Sequence, residues 1–449
     1  MQFELTKEYL DDIKMAIDVK DFALVDRSVL DLHAADIADI LDELNNSQAK
    51  AVYYRLDEEL QADVLMELEE EVRERFIKSL TPIQIAEQLE NLDSDDAVDI
   101  LGELSQREQV EVIAEMEDHE AAELVDLLNY DEDTAGGLMQ TEFIQARENW
   151  PVNRAVIELR KQAEDVDKVY TIYVIDSMDR LVGVLSLKSL LFASPKTAIG
   201  DICIRKNVIS VPTGMESEEV AKVMEKYNLV SVPVVDLQQK LVGRITIDDV
   251  VDVIKEEADK DFQMASGISE KVESNASVWK TSRSRLPWLL IGLLGGILGA
   301  QVIGTFEGTI GQVPALAFFI PLIAAMGGNV GVQSSAIVVQ SIANGSSQFG
   351  SIFSKVGKEA LVGLVNGIIC SGLIFLITFV LEDPILGLTV SLSLFTVIMF
   401  AAVLGTFVPL VLNKYNIDPA LATGPFITTV NDVLGLFIYF MIGIMLYGI

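Results

Sequence analysis

The last third of this 449-residue chain contains five long apolar stretches, at approximately 286–305, 314–343, 357–381, 387–412 and 419–447. Each is long enough for the roughly 20 residues that a helix needs to cross a bilayer. Inside lipid, every backbone N–H and C=O group must be paired within the protein, so apolar stretches of this length fold as helices. We therefore predict a multidomain membrane protein in which residues 285–449 form a transmembrane domain of five helices.

Most charged residues lie in the part of the chain before the apolar stretches. Residues 284–449 contain 6 acidic and 4 basic residues, whereas residues 1–283 contain 62 acidic and 29 basic residues, a net charge of -33. Such a field repels phosphate backbones, which argues against nucleic-acid binding and favours cations as partners. Cys203 and Cys370 fall in different parts of the chain, so no disulfide framework is expected.

The basic residues beside the spans predict the orientation. They all fall on one side of the membrane if the N-terminus is cytoplasmic, as the positive-inside rule requires; they are Lys280, Arg283, Arg285, Lys355, Lys358 and Lys414. The first ten residues lack the basic and apolar pattern of a signal peptide. We therefore predict a multi-pass protein of the cell (inner) membrane, with the N-terminus in the cytoplasm and, after five spans, the C-terminus outside.

The second span contains polar and flexible residues at membrane depth. It reads MGGNVGVQSS from Met326 to Ser335, and includes Gly328 and Asn329. Irregular backbone at this depth is tolerated only where it is buried in protein or lines a wet cavity. We interpret this segment as part of an ion pathway, with tight helix packing as the alternative.

The fifth span contains Thr428, Asn431 and Asp432 within an apolar sequence, and together with Gly328 and Asn329 of the second span they form the predicted ion pathway. Asp432 lies about 13 residues into the span, close to the middle of the bilayer, where a carboxylate is costly unless it faces a partner or water. No Lys or Arg lies deep in any span to neutralise it. A transported cation explains this carboxylate better than an ion pair does, and a protonated, hydrogen-bonded Asp is the alternative.

A repeat with a period of 60 residues occupies the middle of the chain. Tyr170–Leu190 and Val230–Val250 each predict a strand, a turn, a second strand and a helix, preceded by helices at about 153–164 and 216–228. This pattern resembles a tandem α/β CBS pair, assigned to residues 136–255, a module that often binds adenosine nucleotides. Thr246 and Asp249 match the ribose-binding pattern Ser/Thr-x-x-Asp, whereas the first unit has Ser189 in the acidic position. ATP is therefore a candidate regulatory ligand.

Residues 1–135 lack strand alternation and are rich in helix formers, and ADIADILDELN at 35–45 resembles DDAVDILGELS at 95–105. These features predict an acidic all-α domain built from repeated helix pairs. Asp95 and Asp99 are four residues apart and lie on one helix face, where they repel unless a cation or water screens them. Residues 256–284 have the pattern of an amphipathic connecting (plug) helix.

This combination of domains resembles the MgtE family of magnesium channels over essentially the whole chain. Two motifs carry the resemblance: PLIAAMGGNVGVQS from Pro321 to Ser334, and DPALATGPFITTVND from Asp418 to Asp432. The resemblance implies a homodimer in the lipid bilayer with one Mg2+ pathway on its two-fold axis, where Asp432 binds the hydrated cation. It also implies that the cytoplasmic domains close the pore when intracellular magnesium is high.

The resemblance further implies which acidic residues bind regulatory Mg2+. Asp95 and Asp99 are the match in the N-terminal domain, and Asp418 is a further candidate cation ligand at the start of the second motif. The remaining implied ligands lie in the second CBS unit and the connecting helix: Glu216, Glu218, Glu225, Asp249, Asp252, Glu257 and Asp261. Two positions depart from the family pattern, because Lys260 and Asn228 stand where an acid is usual.

The predicted function is a Mg2+-selective channel that mediates magnesium uptake and is closed by intracellular Mg2+. The alternative is a Na+- or H+-coupled carrier of Mg2+, Mn2+ or Co2+, with Asp432 as a protonation site. A third hypothesis is a membrane-anchored regulator whose CBS pair senses nucleotide. No nucleophile–base arrangement or Cys/His metal cluster appears in the sequence, so an enzyme is not expected. The membrane potential suffices to drive uptake, since moving two charges is worth roughly 4.6 kcal/mol per 100 mV.

Overall fold

The structure, a computed structural model, describes residues 3–163, 166, 168–269, 277–343, 352–381, 384–415, 417–422 and 424–448. The chain divides into two units, Met1–Lys255 and Glu256–Ile449. The first unit contains a helical domain and two small sheets, and the second contains the membrane helices.

The N-terminal domain is helical throughout its described residues, as predicted. Short helices begin at residues that cap their free N–H groups; Thr81 and Ser105, for example, each form a capping box with the residue three positions later. The two similar segments at 35–45 and 95–105 both form helices whose Ile and Leu side chains are fully buried. The helices are α1 (Lys7–Asp18), α2 (Phe22–Val29), α3 (Ala34–Asp42), α4 (Asn46–Tyr53), α5 (Glu58–Glu67), α6 (Glu70–Ile77), α7 (Pro82–Leu89), α8 (Ser94–Glu103), α9 (Gln106–Ile113) and α10 (Asp118–Leu127).

The repeat forms two sheets of the same topology, which confirms the predicted CBS pair. In each sheet the first strand is parallel to the second, and the second is antiparallel to the third. Val174 pairs with Gly183 and Val234 pairs with Gly243, so the residues that are identical in the two units occupy the same register. The elements are β1 (Gln145–Arg147), α11 (Val152–Gln162), β2 (Ile172–Ile175), β3 (Leu181–Leu185), α12 (Leu187–Phe192), α13 (Ile199–Ile202), β4 (Val211–Pro212), α14 (Ser217–Tyr227), β5 (Ser231–Val235), β6 (Leu241–Thr246) and α15 (Ile247–Ala265).

Helix α15 differs from the predicted connecting helix over 256–284. It begins in the second CBS unit and continues without a break to Ala265. It ends there because Gly267 adopts φ +80°, and the N–H groups of Gly267 and Ile268 bond back to the carbonyls of Met264 and Gln263. Residues 270–276 of the predicted helix lie outside the described residues.

The end of α15 lies against the start of the last membrane helix. Gly424 adopts φ +54°, and a Cβ atom there would lie 2.6 Å from the carbonyl oxygen of Ala265. A Cβ on Gly267 would lie 2.9 Å from Cγ of Pro425 and 3.6 Å from Cβ of Trp288. The two chain segments therefore approach each other through their backbones at positions that require glycine.

The second unit contains, within its described residues, five helices long and apolar enough to cross a membrane, as predicted. The fourth span is buried most, with Val390, Val397 and Ile398 fully enclosed, whereas the first and third spans expose most of their apolar side chains. The elements are α16 (Val278–Thr305), α17 (Glu307–Gln312), a 3-10 helix (Pro314–Phe319), α18 (Ile320–Ala343), α19 (Ile352–Leu381), α20 (Pro384–Lys414), a second 3-10 helix (Pro419–Ala422) and α21 (Gly424–Tyr447).

Asp42, in the N-terminal domain, is a partly buried carboxylate. Burial raises the pKa of Asp42, at the end of α3, to about 6; the charges of Glu69 and Asp39 add to the rise, while the backbone N–H of Glu69 and the charge of Arg75 oppose it. The Oδ1 atom of Asp42 is buried, with no hydrogen-bond partner among the described residues. This group therefore destabilises the folded state when it is ionised.

We expect Asp42→Asn to stabilise the protein at neutral pH but not at acid pH. The folded state holds the proton more tightly than the unfolded state, so this stabilising effect of protonation is lost as pH rises from about 4 through 6. Because Asp42 is half-exposed, the free energy of unfolding should rise by only about 1 kcal/mol at pH 7.5. Thermal unfolding of the full chain in detergent at pH 4 and pH 7.5 tests this, with Asp11→Asn, an exposed carboxylate on α1, as control. An equal change at both pH values would contradict it.

Candidate cation sites

Asp432 lies where α21 contacts α18. A Cβ atom on Gly328 would lie 3.3 Å from Oδ1 of Asp432 and 3.0 Å from Cγ2 of Thr428. Thr428 and Asp432 are one turn apart on α21 and therefore share a face. The glycine allows the carboxylate to lie directly against the backbone of α18, which brings together three of the five residues of the predicted pathway.

The Asp432 carboxylate is half-buried, and no ion pair joins it to a basic residue in the described part of the chain. Its Oδ1 atom is buried and has no hydrogen-bond partner among those residues. Asn329, which follows Gly328, is exposed on α18. An unneutralised acid beside an exposed amide is suited to bind a cation through its water shell.

Asn431 occupies a different environment from its neighbour. Its side chain is only 1% exposed, and a Cβ atom on Gly331 would lie 1.9 Å from its Nδ2 atom. A Cβ atom on Gly405 of α20 would in turn lie 2.5 Å from the carbonyl oxygen of Gly331. Helices α18, α20 and α21 therefore meet at Gly331, Gly405 and Asn431, which we call the glycine junction.

The glycine-rich segment of α18 is helical throughout, so the expectation of irregular backbone there was wrong. Its glycines serve close packing instead. A Cβ atom on Gly327 would lie 3.0 Å from Cγ1 of Val397, and Gly331 receives Asn431. The segment therefore contributes to the candidate pathway through the small size of its residues rather than through a break in the helix.

Asp418 lies at the start of the second motif, in the connection before α21. It is exposed, and its Oδ1 atom accepts a hydrogen bond of 2.8 Å from the N–H of Ala420. This bond caps the short 3-10 helix that follows. A role for Asp418 as a cation ligand stays a prediction.

A second membrane acid was missed by the sequence analysis. Ser334 of α18, which is 2% exposed, donates a hydrogen bond of 2.9 Å to Oε1 of Glu359 on α19. The only signal in the sequence was an acidic residue near the start of the third span, after Lys355 and Lys358. The bond is a polar link between α18 and α19.

In the first unit, Asp95, Asp96 and Asp249 form a partly buried group that we call the acidic cluster. Asp95 is 8% exposed, and burial followed by the charge of Asp249 raises its pKa well above the usual range. The same two causes raise the pKa of Asp96 to about 7. Burial raises the pKa of Asp249 to about 6, opposed by hydrogen bonds from Thr246. These like charges therefore repel one another in a poorly hydrated place.

A buried arginine reaches the acidic cluster only through an amide. The Nε2 atom of Gln140 donates to Oδ2 of Asp95 at 3.2 Å, and Nε of Arg244 donates to Oε1 of Gln140 at 2.6 Å. Within the described residues, no three His, Cys, Asp or Glu side chains converge closely enough to ligate a metal directly. The arrangement fits Mg2+, because this ion keeps several waters and needs only one or two carboxylates.

The candidate nucleotide residues bond to each other. The N–H and the Oγ1 of Thr246 donate to Oδ2 of Asp249, at 3.0 Å and 2.8 Å. Ser186 of the first unit caps α12 in a similar way through the N–H of Ser189. Asp249 therefore takes part both in the start of α15 and in the acidic cluster.

The other predicted sensor acids are more open. Glu218 pairs with Lys222 at 2.5 Å, and Glu257 pairs with Lys260 at 3.0 Å. Asp261 is half-buried, and the exposed acids are Asp99, Glu216, Glu225 and Asp252. Asp99 differs from the other open acids, because burial of its carboxylate, followed by the charge of Glu132, raises its pKa to about 6.

Comparison with known proteins supports the domain order. The family model described as a divalent cation transporter matches residues 320–442, the model of the MgtE intracellular N domain matches 32–133, and the CBS-domain model matches 135–196 and 199–256. The chain is 33% identical over 425 residues to the magnesium transporter MgtE of Bacillus subtilis, covering 94% of this chain and 93% of the relative. It is 36% identical over 320 residues to that of Thermus thermophilus, covering 71% of each.

Two solved structures resemble the soluble part. One is the soluble part of a magnesium transporter, with 30% identity and a TM-score of 0.51, covering 56% of this chain and 99% of that one. The other is the cytosolic domain of the Mg2+ channel MgtE in complex with ATP, with 34% identity and a TM-score of 0.51, covering 54% of this chain and 99% of that one.

We expect Gly331→Ala to disturb the glycine junction. The added methyl group would lie 1.9 Å from Nδ2 of Asn431, so the helices must separate or the amide must move. Overpacking of this kind costs about 1–3 kcal/mol and should lower the thermal unfolding midpoint in detergent. Gly296→Ala on α16 is the control, because nothing lies within 4 Å of its added Cβ atom. Equal unfolding midpoints for the two variants would show that the glycine junction has room for the added methyl group.

Proposed function

Because this chain belongs to the MgtE family of magnesium transporters, we propose that it forms a Mg2+-selective channel through which magnesium enters the cell. The single observation that carries the proposal is Asp432, a half-buried carboxylate in a membrane helix with no basic partner among the described residues. Family membership makes the chain a multi-pass transporter rather than an enzyme.

The surroundings of Asp432 suit a hydrated cation. Mg2+ gives up its waters reluctantly, so a pore that removed them all would be slow. Asp432 and Thr428 on α21, beside Gly328 and the exposed Asn329 on α18, offer oxygen atoms that can hold the water shell instead. Selection would then depend on hydrated size and charge.

We further propose that the channel is a homodimer with a cytoplasmic N-terminus. A two-fold axis beside α18 and α21 would bring two Asp432 carboxylates to one pathway and double its negative charge. The exposed face around Asn329 supports this arrangement, since it leaves a polar residue of the second span unburied in the single chain. The basic residues beside the spans support the orientation.

A coupled carrier is the second candidate, because an acid without a basic partner is also suited to bind and release a proton. Asp432 could then titrate during each transport cycle. A channel and a carrier differ in one decisive property: only a channel passes many ions in each opening and gives unitary currents.

Recording from inside-out patches with Mg2+ as charge carrier tests the proposal. We expect unitary currents in the wild-type chain and their loss in Asp432→Asn, which keeps the shape of the side chain but removes its charge. Glu307→Gln is the control, an exposed acid at the start of α17. Measurable Mg2+ uptake into liposomes without unitary current would overturn the channel and favour the carrier.

We propose that intracellular Mg2+ closes the channel by binding the acidic cluster and the more open acids of the CBS pair and α15. The raised pKa values of Asp96 and Asp249 support a bound cation, because a divalent ion would relieve the repulsion that burial makes costly. ATP is proposed as a second regulatory ligand near Thr246, supported by the related cytosolic domain that was solved with ATP.

Lys260 should weaken the response of α15 to magnesium. Its Nζ atom lies 3.0 Å from Oε1 of Glu257 and already offsets part of the charge that a Mg2+ ion would neutralise. We expect Lys260→Glu to lower the bath Mg2+ concentration for half-closure by about twofold to fivefold, as the loss of a weak exposed pair allows. The measurement is the open probability in inside-out patches.

Lys255→Glu is the matched control, because it makes the same charge change on the same helix. An equal shift in both variants would mean that net charge alone sets the response. Closure that is unchanged in a chain carrying both Glu257→Gln and Asp261→Asn would exclude sensing by this helix.

A further inference from the structure

Asn431 is a polar side chain buried without a partner. It is 1% exposed, and neither Nδ2 nor Oδ1 has a hydrogen-bond partner in the described part of the chain. Buried polar groups without partners are rare in native proteins because they reduce stability, so each one requires an explanation. Ser393 on α20 is also buried without a hydrogen-bond partner among the described residues, but it has only one polar side-chain atom.

Packing alone does not explain the amide. Asn431 lies in the glycine junction, against Gly331 and Gly327 of α18. A leucine there would have a similar shape and would bury no unpaired polar atom. The chain keeps an amide at a position where an apolar residue would be more stable, which points to a role in function.

The unpaired side-chain atoms of Asn431 and Asp432 face the same helix at glycines that are three residues apart. Nδ2 of Asn431 contacts α18 at Gly331, and the unpaired Oδ1 of Asp432 contacts the same helix at Gly328. Cβ positions three residues apart on a helix are about 5–6 Å from each other. One or two water molecules can bridge such a gap, and a buried water needs two to four polar partners of this kind.

We propose that Asn431 is a positioning residue, which binds water in the glycine junction and through it fixes the Asp432 carboxylate and the water shell of the cation. This inference rests on the proposed function, since it assigns to Asn431 the control of selectivity at that site. A carboxylate held in one orientation accepts only one arrangement of hydrated ion. A carboxylate free to turn would also accept ions that exchange water more easily, such as Co2+.

The test is uptake of Mg2+ and of Co2+ into proteoliposomes, measured separately, together with the thermal unfolding midpoint. Asn431→Leu should raise the midpoint, because it removes the unpaired amide. It should also slow Mg2+ uptake at least tenfold and raise the ratio of Co2+ to Mg2+ uptake. Ser393→Ala is the control, and we expect it to leave both rates within twofold of wild type.

Asn431→Ser keeps a polar group and leaves space for water, so the uptake ratio should return towards that of wild type, whereas Asn431→Ala should not restore it. If Asn431→Leu fails to fold, the uptake ratios of Asn431→Ser and Asn431→Ala test the inference by themselves. Wild-type uptake ratios in every folded variant would overturn the inference. Absence of Mg2+ uptake by the wild-type chain would instead overturn the proposed function. Failure of the inference and failure of the proposed function therefore give different results.

Discussion

The structure depends on carboxylates that are withdrawn from water without a basic partner close enough to neutralise them. A protein normally avoids this, because an ionised group loses its hydration and gains nothing in return. Among the described residues, Asp432 in the membrane helices and Asp95 in the acidic cluster are the two examples that lie at candidate cation sites. In both places a cation from solution could supply the positive charge that the protein does not, and this common feature underlies the transport site and the regulatory site that we propose.

The two places achieve this in different ways. In the second unit, Gly328 allows the backbone of α18 to lie against the carboxylate of Asp432. The carboxylate therefore contacts an uncharged helix surface rather than a basic side chain. In the first unit, three acids lie close together, and Gln140 lies between Arg244 and Asp95 and bonds to both. An ion that crosses the membrane must bind weakly enough to leave again, which a carboxylate that contacts the ion only through water allows. In the acidic cluster, repulsion among neighbouring acids favours the binding of a cation that relieves it.

Length and hydropathy were sufficient to predict the five spans, and the repeat of Val174 and Val234 predicted the two sheets, because both signals repeat over many residues. The missed features depend on single contacts. Glycines in a membrane helix are compatible with a break or with close packing, and only the neighbours of Gly331 distinguish the two. The bond between Ser334 and Glu359 joins two helices, and nothing in the sequence pairs these two residues. The end of α15 depends on one backbone angle, at Gly267.

The contact between the end of α15 and the start of α21 has a consequence for how such a chain can evolve. At its centre the carbonyl oxygen of Ala265 lies against Gly424, so this part of the contact involves the backbone of residue 265 and not its side chain. Substitutions at residue 265 can accumulate without changing it, while any residue with a Cβ at 424 would force the two segments apart. At residue 424 the chain therefore either keeps glycine or loses the contact, so changes of intermediate size in this contact require substitutions at other positions.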